Sequence, residues 1–238
     1  MAIANHVGRV QPARYIDRST LNTLNRRRGL HPLYETVKLN HISYFMRPPK
    51  LIKPYVTTFV RQVVGGVDVQ PFYVPCAPLK SEPQNECFSI VEKHIKRYGG
   101  DMVIGWAIWE RPRVFIESEF HAIWCAPDGS YLDLSPRRLP IPRILFVQDK
   151  RRRFNGTQVD NVRKPLNNDK DVERFLSLRK EYFRIMNEGD LKYEFGEISL
   201  TPKLISNLNE ADLLETKLLN RYGPWTHEEP KPAIQDCV

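Results

Sequence analysis

The segment that most constrains the fold is residues 119–136, which has the pattern of a strand, a tight turn and a second strand. Its centre, residues 127–129, is Pro-Asp-Gly. Proline presets the φ angle of the first turn residue, and glycine accepts the positive φ that ends a three-residue hairpin loop. With that loop, Ala126 lies opposite Ser130. The sequence therefore predicts an antiparallel hairpin whose register is set by its turn.

The predicted register places a histidine and an aspartate on one face of the hairpin. His121 lies opposite Ser135 and Asp133 lies opposite Ile123, so His121 and Asp133 are diagonal neighbours with backbones about 7–8 Å apart. An imidazole and a carboxylate can form a hydrogen bond at that spacing. A two-residue loop would instead send Asp133 to the other face. Glu119 shares the His121 face and is the alternative carboxylate.

A cysteine lies upstream, near the start of a predicted helix. Residues 81–84, Ser-Glu-Pro-Gln, fit a capping box, and Asn85 is a rival N-cap. The following apolar residues have helical spacing up to Gly99-Gly100: Phe88, Val91, Ile95 and Tyr98. Cys87 falls in the first one or two turns, where the helix dipole favours a thiolate. Gln84 and the backbone N–H of Cys87 are candidate oxyanion donors.

The order of these segments resembles the core of the transglutaminase-like and papain-like cysteine hydrolase superfamily. The resemblance covers residues 81–136: Cys87 on a helix, then Phe-His-Ala-Ile-Trp at 120–124, then Tyr-Leu-Asp-Leu-Ser-Pro at 131–136. It implies a triad with Cys87 as nucleophile, His121 as general base and acid, and Asp133 fixing the histidine tautomer. It also implies acyl chemistry on an amide or ester bond, as in a protease, amidase, deamidase or transglutaminase.

Two alternatives stay open for these residues. Free cysteines are commonly buried packing residues, and a histidine beside an aspartate is commonly a structural hydrogen bond. A superfamily member that has lost its activity would keep the fold and bind without catalysing.

The predicted fold class is α+β: an antiparallel β-sheet with a cysteine-bearing helix packed on it, as in a papain-like or transglutaminase-like core, and a helical C-terminal part. Residues 102–109 have the pattern of a buried strand. The other predicted elements are a hairpin of residues 55–64 and 67–74, a strand at 143–148, a polar loop at 150–168, and helices at 171–186 and from Thr201-Pro202 to about Tyr222.

The chain divides by composition into four predicted parts. They are a polar N-terminal segment of residues 1–50 with a helix at 19–27, an α+β catalytic-like core at 51–150, a helical part at 151–226 and a disordered tail at 227–238.

The sequence predicts no cofactor and no metal. It has neither a glycine-rich dinucleotide loop nor a Walker motif. Its four cysteines form no CxxC pair, which argues against a disulfide framework and a structural zinc site. Cys125 shares the face of His121 and Asp133, but the three residues lack a recognised ligand spacing. Cys76 lies between prolines with no helix to activate it.

A net charge of +8 suggests a second, non-catalytic function. Basic runs can contact phosphates, and they can also steer an acidic protein partner. The hypothesis is a basic binding protein that contacts nucleic acid or an acidic protein through Arg26, Arg27, Arg28, Arg151, Arg152 and Arg153. Arg137-Arg138 is a further basic pair.

The acyl-chemistry hypothesis predicts a protein or peptide substrate instead. No stretch of the sequence reaches transmembrane length, and residues 1–6 lack a signal-peptide apolar core, so we expect a cytoplasmic protein with no membrane partner.

Overall fold

The computed structural model describes residues 46–137, 140–189 and 201–223. The predicted helix at 19–27, Arg26 to Arg28 and the tail at 227–238 lie outside these residues. The elements are α1 (Pro54–Val64), β1 (Phe72–Pro75), α2 (Cys87–Tyr98), β2 (Asp101–Arg111), β3 (Phe115–Cys125), β4 (Tyr131–Leu132), β5 (Arg143–Gln148), β6 (Val162–Pro165), α3 (Lys170–Met186) and α4 (Pro202–Tyr222). The predicted α+β class is confirmed.

The strands form one antiparallel sheet in the order β1-β5-β2-β3-β4, with β6 pairing on β3. Beyond the two outermost strands, Cys76 and Asp133 form a parallel bridge. Its hydrogen bonds run from the Ala77 N–H to the Asp133 carbonyl, 2.8 Å, and from the Asp133 N–H to the Pro75 carbonyl, 2.9 Å. This contact nearly closes the sheet into a barrel, and it brings the end of β1 to the predicted catalytic aspartate.

The centre of the sheet contains a glycine opposite the predicted catalytic histidine. Gly105 of β2 pairs with His121 of β3 on one side and with Gln148 of β5 on the other. A Cβ atom at position 105 would lie 2.0 Å from the Val147 carbonyl oxygen and 2.7 Å from Cζ of Phe146. Only glycine allows β5 and the Phe146 ring to approach β2 this closely.

Helices α1 and α2 pack on one face of the sheet. Phe59 and Val60 of α1 and Val91 of α2 are buried in a shared core. The sheet residues of this core are Trp106, Ile108, Ile116, Phe120, Ala122, Leu145 and Val147. The predicted packing of the cysteine-bearing helix on the sheet is therefore confirmed.

The predicted hairpin of residues 55–64 and 67–74 is wrong. The first half is helix α1, with Pro54 in its first turn and Gly65 at its C-terminal end in the left-handed region, φ 69°. Only Phe72–Pro75 of the second half is a strand. The β-branched residues of 55–64 suggested a strand, but their apolar positions repeat every three to four residues, and burial of that stripe determines the structure.

The predicted polar loop at 150–168 is also only partly right, because β6 lies within it. Arg163 anchors this strand: its side chain is ion-paired with Glu117 of β3 and with Asp160. Upstream, the Phe154 ring stacks on Phe88 of α2 with centroids 3.9 Å apart. The segment is thus fastened both to the sheet and to the helix that carries Cys87.

The C-terminal part is helical, as predicted, and α3 packs against α4. Both helices have side-chain caps: Asp169 accepts from the Asp171 N–H, and Thr201 accepts from the Leu204 N–H. Buried Arg111 at the end of β2 donates to the Leu218 carbonyl of α4, 3.3 Å. Among the helices that the structure describes, none is long and apolar enough to cross a membrane.

Candidate active site

The hairpin has the predicted register. The Ala126 N–H donates to the Ser130 carbonyl at 2.8 Å, and Cys125 pairs with Tyr131. Gly129 has φ 85°, so the loop ends in the left-handed conformation that its sequence indicated. This three-residue loop fixes which side chains of β3 and of the residues after β4 share a face.

His121 and Asp133 meet as this register predicts. His121 Nε2 lies 3.0 Å from Asp133 Oδ1, and both side chains are buried. The Ser135 N–H donates to the same carboxylate oxygen at 3.1 Å. Burial alone would raise the pKa of Asp133, but the charges of His121 and Arg137 and these hydrogen bonds hold it well below its usual range. Asp133 is therefore a charged acceptor that fixes the imidazole ring.

Cys87 is the first residue of α2, where it is 7% exposed. The predicted caps at Ser81 and Asn85 are wrong, because the N-cap is Glu86 and it makes no side-chain capping bond. The chain turns through Asn85 in the left-handed region, φ 63°, so the helix begins later than the capping-box pattern indicates. Gln84 is exposed in the turn before the helix.

Cys87 and Asp133 act together on the histidine. Burial by itself would lower the pKa of His121, but the charges of Cys87 and Asp133 and the hydrogen bond with Asp133 raise it well above its ordinary value. Asp133 bonds Nε2, and Nδ1 has no hydrogen-bond partner among the described residues. The charges of Cys87 and Asp133 thus both favour an imidazolium.

Arg137 is a member of this cluster that the sequence analysis missed, since it was assigned to a surface basic pair. Its Nη1 lies 2.9 Å from Asp133 Oδ2, and its side chain is 19% exposed. Burial would lower its pKa, but Asp133, followed by Glu119, Cys76 and Cys87, raises it. No local sequence pattern distinguishes Arg137 from the adjacent Arg138.

Cys76 is a second residue brought unexpectedly into the cluster. Its Sγ lies 3.8 Å from Asp133 Oδ2. Burial and the neighbouring Asp133 raise the pKa of the Cys76 thiol to about 12, against an opposing effect of Arg137. Cys76 is therefore a protonated thiol that donates to Asp133. The closure of the sheet places it there, and no local sequence pattern indicates that closure.

Glu119, the alternative carboxylate, has a different partner. Its Oε2 accepts a hydrogen bond from Trp109 Nε1 at 2.8 Å. Asp133 is the carboxylate that binds the His121 ring, so the assignment of Glu119 to that position is wrong. The same Trp109 ring lies against Arg137, with its centroid 5.0 Å from the guanidinium carbon, and the charge of Glu119 helps to raise the pKa of Arg137.

Cys125 lies apart from the cluster, with its Sγ directed at the Ala126 carbonyl, 3.7 Å away. Within residues 46–137, 140–189 and 201–223, no group of three or more histidine, cysteine, aspartate or glutamate side chains is arranged to hold a metal ion.

The basic run at Lys150–Arg153 is exposed beside the cysteine-bearing helix. Arg151 is ion-paired with buried Asp149, and the Arg152 guanidinium lies 5.8 Å from the Trp106 ring centroid. Lys150 and Arg151 also line a cleft of about 400 Å³ at the end of β5. Phosphate or acidic-protein contacts through this run stay a prediction.

Comparison with known proteins does not assign the chain to a family. No family model matches it, and neither curated proteins nor solved structures give a significant match. The geometry of the site is therefore the basis for a proposed function.

Proposed function

We propose that the protein is a thiol-dependent enzyme that transfers acyl groups from an amide or ester bond, on a papain-like or transglutaminase-like core. The observation that carries this proposal is the His121 ring, held at Nε2 by ionised Asp133 and interacting with Cys87. A carboxylate, an imidazole and a thiol in this order form the arrangement that activates a cysteine nucleophile.

Each group has a distinct role in the proposed reaction. The Cys87 thiolate attacks the carbonyl carbon and forms a tetrahedral oxyanion. As that intermediate collapses to a thioester, the bond to the leaving amine or alcohol breaks, and the His121 imidazolium gives its proton to the leaving group. Neutral His121 then accepts a proton from water or from an acceptor amine that attacks the thioester, and the thiolate–imidazolium pair is restored.

Asp133 determines which ring nitrogen performs this proton transfer. Since its carboxylate accepts from Nε2–H, Nδ1 is the nitrogen that exchanges protons with Cys87 and the leaving group. The backbone N–H of Cys87, in the first turn of α2, is the proposed oxyanion donor because N–H groups in that turn lack intrahelical partners. The side-chain amide of Gln84 is the second candidate for a hydrogen-bond donor to the oxyanion.

A site-resolved alkylation experiment tests the proposal. Native protein is treated with iodoacetamide between about pH 5 and 9, and each cysteine-containing peptide is quantified by mass spectrometry. Cys87 should react fast below about pH 7, where an ordinary thiol is mostly protonated, and H121A should slow it. Cys125, partly exposed and away from the His121 ring, is the internal control. A Cys87 that reacts no faster than Cys125 at every pH would contradict the proposal.

The second candidate function is that of a basic, non-catalytic binding protein. The exposed run Lys150–Arg153, two residues of which line the 400 Å³ cleft, favours it. This function predicts salt-dependent binding of single-stranded nucleic acid or of an acidic protein. The binding should be unchanged in C87A and lost in R151A/R152A/R153A. Binding that is unaffected by removal of the three arginines would exclude it.

A further inference from the structure

Arg137 is charged, largely buried and directed at the aspartate of the proposed triad. Its guanidinium bonds Asp133 Oδ2 at 2.9 Å and the Ser135 carbonyl at 3.1 Å through Nη1. The Trp109 ring lies against it, with 5.0 Å between the guanidinium carbon and the ring centroid.

The contacts of Asp133 divide between its two oxygens. Oδ1 accepts from the His121 ring and from the Ser135 N–H, whereas Oδ2 accepts from Arg137 and from the Cys76 thiol. With Oδ2 occupied, the carboxylate cannot rotate without breaking an ion pair. Oδ1 is therefore held in the one position from which it can bind His121 Nε2.

We propose that Arg137 is a positioning residue for the proposed acyl chemistry: it locks the Asp133 carboxylate onto His121, and its charge holds the site in its ionised form. This inference rests on the proposed function. The charged and titratable groups that face Arg137 are Asp133 beyond β4, Glu119 of β3, Cys76 beyond β1 and Cys87 of α2. The two carboxylates and the Cys87 thiolate of the proposed reaction are negatively charged, whereas Cys76 is a protonated thiol. Within this cluster only His121 can supply a second positive charge.

The charge and the geometry of Arg137 predict two separable effects. A cation near a thiolate favours the charged form. Loss of the charge in R137Q should therefore move the midpoint of the Cys87 alkylation profile to higher pH. R137K keeps the charge but loses the planar guanidinium that lies against the Trp109 ring while it bonds Asp133. Its midpoint should therefore stay, while its rate above the midpoint should fall by about threefold to tenfold.

The experiment compares the alkylation profiles of wild type, R137Q and R137K, with a thermal melt of each. A higher midpoint in R137Q, together with a lower rate and an unchanged midpoint in R137K, supports the proposal. An unchanged midpoint in folded R137Q overturns it. If R137Q does not fold, R137K decides, because an R137K profile identical to wild type overturns the proposal. If Cys87 is not activated in the wild-type protein, both this inference and the proposed function are wrong. If Cys87 is activated but R137Q has the wild-type profile, only this inference is wrong.

Discussion

Replacement of Asp133 by asparagine should destabilise the protein far more than the same change at Asp149. Both aspartates are buried and have an arginine partner, so the pair is matched. The partners differ in exposure: the Arg137 side chain is 19% exposed, whereas that of Arg151 is 60% exposed. In D133N, the largely buried guanidinium loses its counter-charge, but in D149N the guanidinium turns to water.

The contacts of each aspartate determine how much unfolding free energy its variant should lose. Breaking a buried ion pair by removing one partner costs about 3–5 kcal/mol. The asparagine amide also presents its NH₂ group either to Arg137 or to the Nε2–H of His121, and both are donors. Trp106 Nε1 donates to Oδ2 of Asp149 and the Arg151 N–H donates to Oδ1, so the asparagine of D149N can keep only one of these two hydrogen bonds. Loss of one neutral hydrogen bond should cost about 1–2 kcal/mol.

Urea unfolding followed by far-UV circular dichroism at neutral pH measures both variants against wild type. The expected order is D133N far below D149N, with D149N slightly below wild type. If D133N were as stable as D149N, the Asp133 carboxylate would not be the counter-charge of Arg137 and His121. The assignment of charges within the cluster would then be wrong.

Two further predictions follow from His121 and from Gly105. Because the pKa of His121 is raised in the folded state, its stabilisation is fully present below the unfolded-state pKa of about 6.5 and is lost as the pH rises through the folded value. The stability advantage of wild type over H121Q should therefore shrink as the pH rises above about 6.5 in urea titrations, and an advantage that grows with pH would contradict the assignment. G105A should lose about 3 kcal/mol or fail to fold, because its Cβ meets the Val147 carbonyl oxygen. G129A, whose Cβ meets nothing, should lose only the backbone strain of about 1–2 kcal/mol, and equal losses in thermal melts would refute the close approach.

The sequence was most informative where one local signal sets the geometry. The turn at residues 127–129 fixed the loop length, the loop length fixed the face of each side chain, and the His121–Asp133 hydrogen bond followed. The amphipathic stripe of α3 and the Thr201 cap of α4 were equally local signals.

Long-range closure of the sheet was not predictable by the same means. Nothing in the sequence near Cys76 indicates that it bridges to Asp133, and nothing near Arg137 distinguishes it from the neighbouring basic residue. Cys76 joins the cluster because the end of β1 meets the residues after β4, whereas Arg137 reaches Asp133 within its own segment. Residues 55–64 were mispredicted for a related reason, since β-branched residues form a helix when their apolar stripe packs on the sheet.

Trapping an acyl group on Cys87 is the most direct test of the proposed thiol-dependent acyl transfer. The purified protein is mixed with an activated ester such as p-nitrophenyl acetate, quenched in acid, and mapped by peptide mass spectrometry with and without hydroxylamine. We expect one acetyl group on Cys87, and hydroxylamine should remove it because the linkage is a thioester. The rapid release of nitrophenol should be lost in C87A and reduced in H121A. Acetylation that is absent from Cys87, or that proceeds equally in H121A, would contradict the proposed thiol chemistry.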